Sequence, residues 1–322
     1  MKKLRLALVG AGYITNSAHA PALAEMDDVE VVAICDLREA AARNTAARFA
    51  IPATYTDYCS MIQETDPEAV YVLVPPHVTY DVASFAMRAG KHVFIEKPPG
   101  ITTEQTRQLM HTAARMGVVA MVGFQRRFTP ITVHCLSRVL ERGPVYQVVA
   151  SFMKWYDGGP YVGGAVDILT SDVIHLVDSV RWMAGSEPVD VHSDVKAHGT
   201  DYATAFNAFI RFANGAVAYL QSNFRVGGRQ LRFEIHGDRI SCLVAPEEEA
   251  LIYSDGKLAE RVSAAELAGG SEMFRIGFYQ ESRHFVDCIR QGKQPDTNLA
   301  DALKTMKLRD AIMESSPPWT AD

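Results

Sequence analysis

The run "RLALVGAGYIT", residues 5–15, restricts the folds open to this chain more than any other segment. An apolar strand that stops on Gly10 and Gly12 and passes straight into a helical stretch is the junction that opens a doubly wound α/β sheet. Gly10 permits a tight turn, and Gly12 lets the backbone approach a diphosphate held at the helix N-terminus. Tyr13 and Ile14, which begin that helix, belong to the same phosphate-binding turn. Thr15 stands where a third glycine is usual. Asp36 ends the next apolar run, "VEVVAICD", where an acid can bind both ribose hydroxyls of NAD. Arg38, two residues on, can hold a 2′-phosphate, so the cofactor reads as NAD with NADP as the alternative.

Strand and helix alternate through the first third of the 322 residues. "VEVVAICD", "AVYVLVP", "KHVFIEK" and "VVAMVGF" are uniformly apolar and are separated by helical stretches such as "LREAAARNTAARFA" and "TEQTRQLMHTAARMG". Strands of that kind are buried on both faces, as in a parallel sheet covered by helices. Residues 1–123 therefore read as a doubly wound α/β domain. After Phe124 the rhythm changes to alternating strands: "VYQVVASFMKW", "TAFNAFIRFA", "AVAYLQSNFRV", "LRFEIHGDRISCLVA" and "EALIYSD". Asn214-Gly215 and Gly227-Gly228 read as hairpin turns between them. Helices at "VIHLVDSVRWMAG", "FYQESRHFVDCIRQG" and "LADALKTMKLRDAIMES" complete an α+β domain over 124–322, with a large, open, mostly antiparallel sheet.

The net charge of -6 argues against nucleic acid or an anionic membrane as partner. No apolar run approaches the roughly 20 residues that span a bilayer, and "MKKLRLALVG" reads as a first strand and not as a signal peptide. Five scattered cysteines without CxxC spacing suit reduced thiols in a cytoplasm, and the histidines lack metal-site spacing. No HExxH, GxSxG or P-loop pattern is present.

Polar residues gather at two strand ends. "LVPPHVTY" places Pro75 and His77 at the carboxyl edge of the parallel sheet, where ligands bind in such folds. "VFIEKPPG" carries Glu96 and Lys97 to the same edge. An ammonium there can polarise or help deprotonate a substrate hydroxyl; a lysine snorkelling to solvent beside Glu96 is the alternative that the residues alone leave open.

The glycine turn, "AGKHVFIEKPP", "VGFQRRFTP" and "RHFVDCIRQGKQPDT" occur in order, and with them the chain resembles the Gfo/Idh/MocA oxidoreductases over nearly its whole length, closest in flavour to the MviM-like branch. The resemblance implies an N-terminal Rossmann domain, a C-terminal domain with an open sheet, and NAD(P)-dependent hydride transfer on sugars, cyclic polyols or related hydroxylated small molecules. It implies a cis peptide before Pro98, and a proton-handling role for Lys97 together with a histidine on a helix of the second domain. The family pattern there is D-x-x-x-H with a further aspartate three residues on. In "LTSDVIHLVDSVRWMAG", His175 and Asp178 match the second half, but Ser171 occupies the fourth position before His175 and Asp172 the third. Both spacings share a helix face, so Asp172 is assigned to orient His175 or bind a hydroxyl, and Asp178 to support the helix. Thr79 replaces a histidine that often follows the strand-end proline. Gln125, with Arg126 or Arg127, and the aromatic pair Trp155 and Tyr156 are the substrate-contact candidates, with Tyr279 beside them. A homodimer or homotetramer through the open sheet is expected. Two other readings are a non-redox enzyme that uses bound NAD transiently and a cofactor-sensing binding protein.

Overall fold

Six parallel strands, β1 (Leu4–Val9), β2 (Val29–Cys35), β3 (Ala53–Tyr55), β4 (Ala69–Val72), β5 (His92–Glu96) and β6 (Ala120–Gly123), pair in the order β3-β2-β1-β4-β5-β6. This computed structural model describes residues 2–269 and 271–315. Every residue of β4 is buried, as the unbroken apolar runs require of strands covered on both faces. The chain adds strands in one direction from β1 to β3 and in the other from β4 to β6. The direction reverses between β1 and β4, which opens a crevice at their carboxyl ends.

By its internal packing the chain divides into two units. The first comprises the residues up to Phe124 and, in addition, Phe278–Leu303. The single break expected after residue 123 thus misses a return. Helix Phe278–Gln291 comes back because β4 and β5 present a stacked aromatic pair, Tyr71 and Phe94, that needs an apolar cover. Phe285 supplies it edge-on, with ring centroids 5.7 Å from both. Arg283 Nη1 binds the Asp28 carboxylate at 2.7 Å, and Arg290 binds the same group.

The second unit comprises Gln125–Gly277 and the chain from Lys304. Its eight strands are β7 (Gln147–Trp155), β8 (Pro188–Lys196), β9 (Ala205–Phe212), β10 (Val217–Asn223), β11 (Arg225–Gly237), β12 (Ile240–Ala245), β13 (Glu249–Ser254) and β14 (Lys257–Ser263). They run in the order β14-β13-β12-β11-β7-β10-β9-β8, antiparallel except for the β7–β10 pair. Helices Pro130–Leu140 and Ile174–Ala184 cover one face, against which Phe206, Phe224, Phe233 and Ile235 are fully buried. The opposite face carries Tyr219, Leu243 and Tyr253, all partly exposed to solvent.

Three strand readings change. Asn214-Gly215 does turn β9 into β10, but Gly227-Gly228 lies inside β11, at an irregularity in its pairing with β7. The run "LRFEIHGDRISCLVA" is two strands, folded back at Asp238 and Arg239, the latter at φ 55. The two edge strands β8 and β14 lie outside the strands read from the sequence: β14 mixes Lys257, Glu260 and Arg261 into a short apolar run, and the valine alternation of β8 is broken at Ser193.

Candidate active site

In the first unit the glycine turn is built for close approach. Gly10 lies at φ 106, and a Cβ there would sit 2.2 Å from the Leu73 carbonyl oxygen, so only glycine fits. A Cβ on Gly12 would meet nothing within 4 Å. The protein does not demand that glycine; the open space above it is what a close diphosphate uses. Thr15, fully buried, donates its hydroxyl to the Gly10 carbonyl at 2.7 Å, which explains how the turn dispenses with a third glycine. Asn16 Nδ2 donates to the carbonyls of Ala11 and Gly12 at 3.2 and 2.9 Å. With these carbonyls drawn inward, the N–H groups that open the helix remain as donors for an anion. Tyr13 projects from this turn and is 85% exposed, while Ile14 is half-buried. The helix first makes a wide π turn, Thr15–His19, before Ala20–Ala24.

Asp36 follows β2 directly. Its carboxylate accepts the Ala11 N–H at 2.8 Å and the Arg38 N–H at 2.9 Å, and the Arg38 guanidinium stands at 3.2 Å. Burial raises its pKa, but these donors outweigh burial and hold the carboxyl below the usual aspartate value. Gly10, Gly12, Asp36, Arg38 and Pro75 line one crevice of about 510 Å³. Leu73, Tyr58, Val78 and Val82 form its apolar walls. An acid for the ribose, apolar walls for a base and an open glycine turn for phosphates together fit the adenosine half of a dinucleotide. His77 stays outside this lining: it is exposed in the first turn of helix Pro76–Arg88. Thr79 is buried and donates to the Pro75 carbonyl at 3.4 Å.

At the end of β5 the Lys97-Pro98 peptide is cis, and Lys97 is half-buried ahead of the buried Pro98, Pro99 and Gly100. Glu96 turns back into the unit. Its carboxylate meets His19 Nε2 at 2.7 Å and accepts the Lys97 N–H at 3.0 Å.

In the second unit a π turn, Leu169–Val173, leads into helix Ile174–Ala184, placing Asp172 in the wide turn and His175 in the first helical turn, both half-buried. Asp172 Oδ2 lies 3.1 Å from Lys154 Nζ, which projects from β7. That ammonium also stands over the rings of Tyr156 and Phe224, at 4.8 and 5.2 Å. Burial, followed by the Asp172 charge, raises the Tyr161 phenol above its ordinary pKa; Tyr156 is raised by burial, Tyr161 and Asp172 in turn. Lys154 and Tyr161 thus join Asp172 and Tyr156 in one cluster. Neither was legible in sequence, since a lysine near a strand end and a tyrosine in a glycine-rich loop carry no pattern. Trp155 points away, 64% exposed. Gln125 is buried; Arg126 Nη1 reaches Glu247 Oε1 at 3.2 Å. Arg127 is the structural arginine of the pair. It grips Asp178 through Nε at 2.7 Å and Nη2 at 2.5 Å, and Thr305 donates to the same carboxylate at 2.8 Å. Tyr279 belongs to the first unit, on helix Phe278–Gln291. No cluster of potential metal ligands occurs among the described residues.

Residues 4–124 match the family model described as "Oxidoreductase family, NAD-binding Rossmann fold", and residues 141–242 match the GFO/IDH/MocA C-terminal domain. The chain is 28% identical over 290 residues to D-glucoside 3-dehydrogenase of Escherichia coli (strain K12), covering 78% of this chain and 79% of that protein. It is 24% identical over 326 residues to myo-inositol 2-dehydrogenase of Thermotoga maritima, covering 97% and 96%. A crystal structure of a dehydrogenase from Chromobacterium violaceum superposes with a TM-score of 0.90 at 22% identity, covering 98% of this chain and 96% of that one.

Proposed function

The chain belongs to the Gfo/Idh/MocA family of NAD-binding oxidoreductases, and from that premise we propose that it is a dehydrogenase for a CH–OH group of a sugar, cyclic polyol or related hydroxylated molecule. The observation that carries this reading is the crevice at the β1/β4 reversal, where Gly10, Gly12, Asp36 and Pro75 meet, with Lys97 ending the next strand of the same sheet. NAD, when bound, supplies the hydride acceptor. The glycine turn holds its diphosphate and Asp36 its adenosine ribose. The negative charge of Asp36 disfavours a 2′-phosphate, which makes NAD the preferred cofactor over NADP. His175 accepts the hydroxyl proton as general base, and Lys97 Nζ stabilises the alkoxide that this leaves, from which hydride departs to give the carbonyl. Asp172, held by Lys154, positions substrate hydroxyls beside the aromatic face of Tyr156. Two related named dehydrogenases, for D-glucosides and myo-inositol, support a polyhydroxylated substrate.

The outer face of the eight-stranded sheet, with Tyr219, Leu243 and Tyr253 exposed, is the surface on which a second copy would pack. Five free thiols suit a reducing cytoplasm, and no helix among the described residues is long and apolar enough to cross a membrane.

The test is a screen of sugars, inositols and sugar acids that follows nicotinamide reduction with NAD and NADP separately. A hit whose turnover falls by about a hundredfold or more in Lys97→Ala, with NAD binding retained, supports the reading. Equal turnover by wild type and Lys97→Ala removes Lys97 from the chemistry. Cofactor that stays bound and cycles without net reduction points to a non-redox enzyme instead.

A further inference from the structure

We infer that His19 and Glu96 form a positioning pair that ties the glycine turn to Lys97; the inference rests on the role of Lys97 proposed above. The wide turn Thr15–His19 begins at a hydroxyl bonded to Gly10 and ends at an imidazole with no solvent exposure. The His19 ring is enclosed edge-on by Phe278, Phe94 and Tyr71, at centroid distances of 5.1, 5.2 and 5.9 Å. Packing alone in such a cage would be met by an apolar ring, since a buried polar group must find a partner or carry the cost of desolvation. His19 Nδ1 has no hydrogen-bond partner among the described residues, so the polar link of the ring is Nε2, 2.7 Å from Glu96 Oε1. The tautomer that fits carries its hydrogen on Nε2 and donates it to the carboxylate.

Glu96 is thereby held at both oxygens: Oε1 by His19, Oε2 by the Lys97 N–H at 3.0 Å. A carboxylate fixed at two points fixes the backbone from which the Lys97 side chain departs. The series Gly10, Thr15, His19, Glu96, Lys97 connects the phosphate-binding turn to the strand-end ammonium through hydrogen bonds and a single turn of helix. His19 touches no reacting atom in this scheme; it acts through Glu96 on the placement of Lys97.

The test uses the full-length protein and three readouts: NAD affinity by fluorescence titration, turnover of a substrate from the screen, and exchange of the Lys97 amide by NMR with lysine-selective labelling. His19→Phe keeps the ring volume and removes the donor. It is expected to bind NAD within about threefold of wild type, to lose roughly tenfold in kcat, and to exchange the Lys97 amide about tenfold faster. His19→Gln, whose amide can still donate, recovers part of both losses. A purely structural imidazole would lower stability in both variants without separating kcat from NAD affinity and without restoring exchange in the glutamine variant. Should His19→Phe not fold, Glu96→Gln reads the same link from the other side. Lys97 exchange and kcat within twofold of wild type in a folded variant would overturn the pair. Wild type that turns over nothing in the screen would sink the proposed activity, while the exchange experiment would still decide the positioning.

Discussion

Lys154 and Asp172 meet at 3.1 Å across β7 and the wide turn that precedes His175. The aspartate stands one position from the place its family pattern assigns, and here it is a strand lysine that holds it. Both side chains are about a quarter exposed, so the pair contributes less than about 1 kcal/mol to stability. Lys154→Met is therefore expected to leave the melting temperature within a few degrees and to raise KM for a polyol by roughly tenfold, because Asp172 then loses the cation that holds it where its proposed role needs it to accept a substrate hydroxyl. Unchanged KM and kcat would mean that Asp172 needs no cation.

Gly10→Ala should be among the most damaging single-methyl changes in the chain. The added carbon meets the Leu73 carbonyl and demands a φ that an L side chain rarely adopts. Backbone strain alone costs about 1–3 kcal/mol, and relief of the clash opens the β1/β4 crevice. Loss of NAD binding in a calorimetric titration, with a lowered unfolding midpoint, is the expected result; Gly12→Ala should fold normally and lose only cofactor affinity.

Asp178 is buried with Arg127 and Thr305. Asp178→Ala removes the buried carboxylate that Arg127 grips through two nitrogens and is expected to cost about 3–5 kcal/mol in urea unfolding. Replacing both residues, Arg127→Met with Asp178→Leu, should recover most of that loss. Failure of the double variant to recover would place the role of Asp178 elsewhere than in the pair.

The Asp28 carboxyl titrates below its ordinary value: burial pushes it up, but Arg283 and Arg290 outweigh burial. A depressed folded-state pKa means that the stabilisation is complete above the unfolded value, near pH 4, and disappears as pH falls through the lower folded value. The difference in urea midpoint between wild type and Asp28→Asn should be constant from neutrality to about pH 5 and shrink in more acid solution. A difference that grows on acidification contradicts the assignment.

The parallel sheet and the turn at Gly10 were legible because each follows from local rules: unbroken apolar runs, a glycine pair, an acid at the next strand end. The place of Lys97 at the end of β5 was legible from the apolar run before it and the prolines after it. The return of Phe278–Leu303 was not, since what calls it back is the stacked face of Tyr71 and Phe94, two residues that look like ordinary core in sequence. Edge strand β8, "PVDVHSDVK", alternates valine with polar residues, but Ser193 interrupts its apolar face and leaves a signal too short to single it out. His77 looked like a site residue because it follows a strand-end proline, yet the helix that starts at Pro76 turns it to solvent. Lys154 became visible only when β7 was laid beside the turn bearing Asp172.

Wide turns lie beside candidate site residues in both units, at Thr15–His19 and at Leu169–Val173. A turn of this kind accommodates one surplus residue in a helix while the rest of the helix keeps its register. Relatives that drop or gain a residue in the second of these stretches would rotate an acid such as Asp172 by about 100° around the helix axis and leave His175 where it is. Substrate range in such a scaffold can therefore diverge through the length of a segment as readily as through the identity of its side chains.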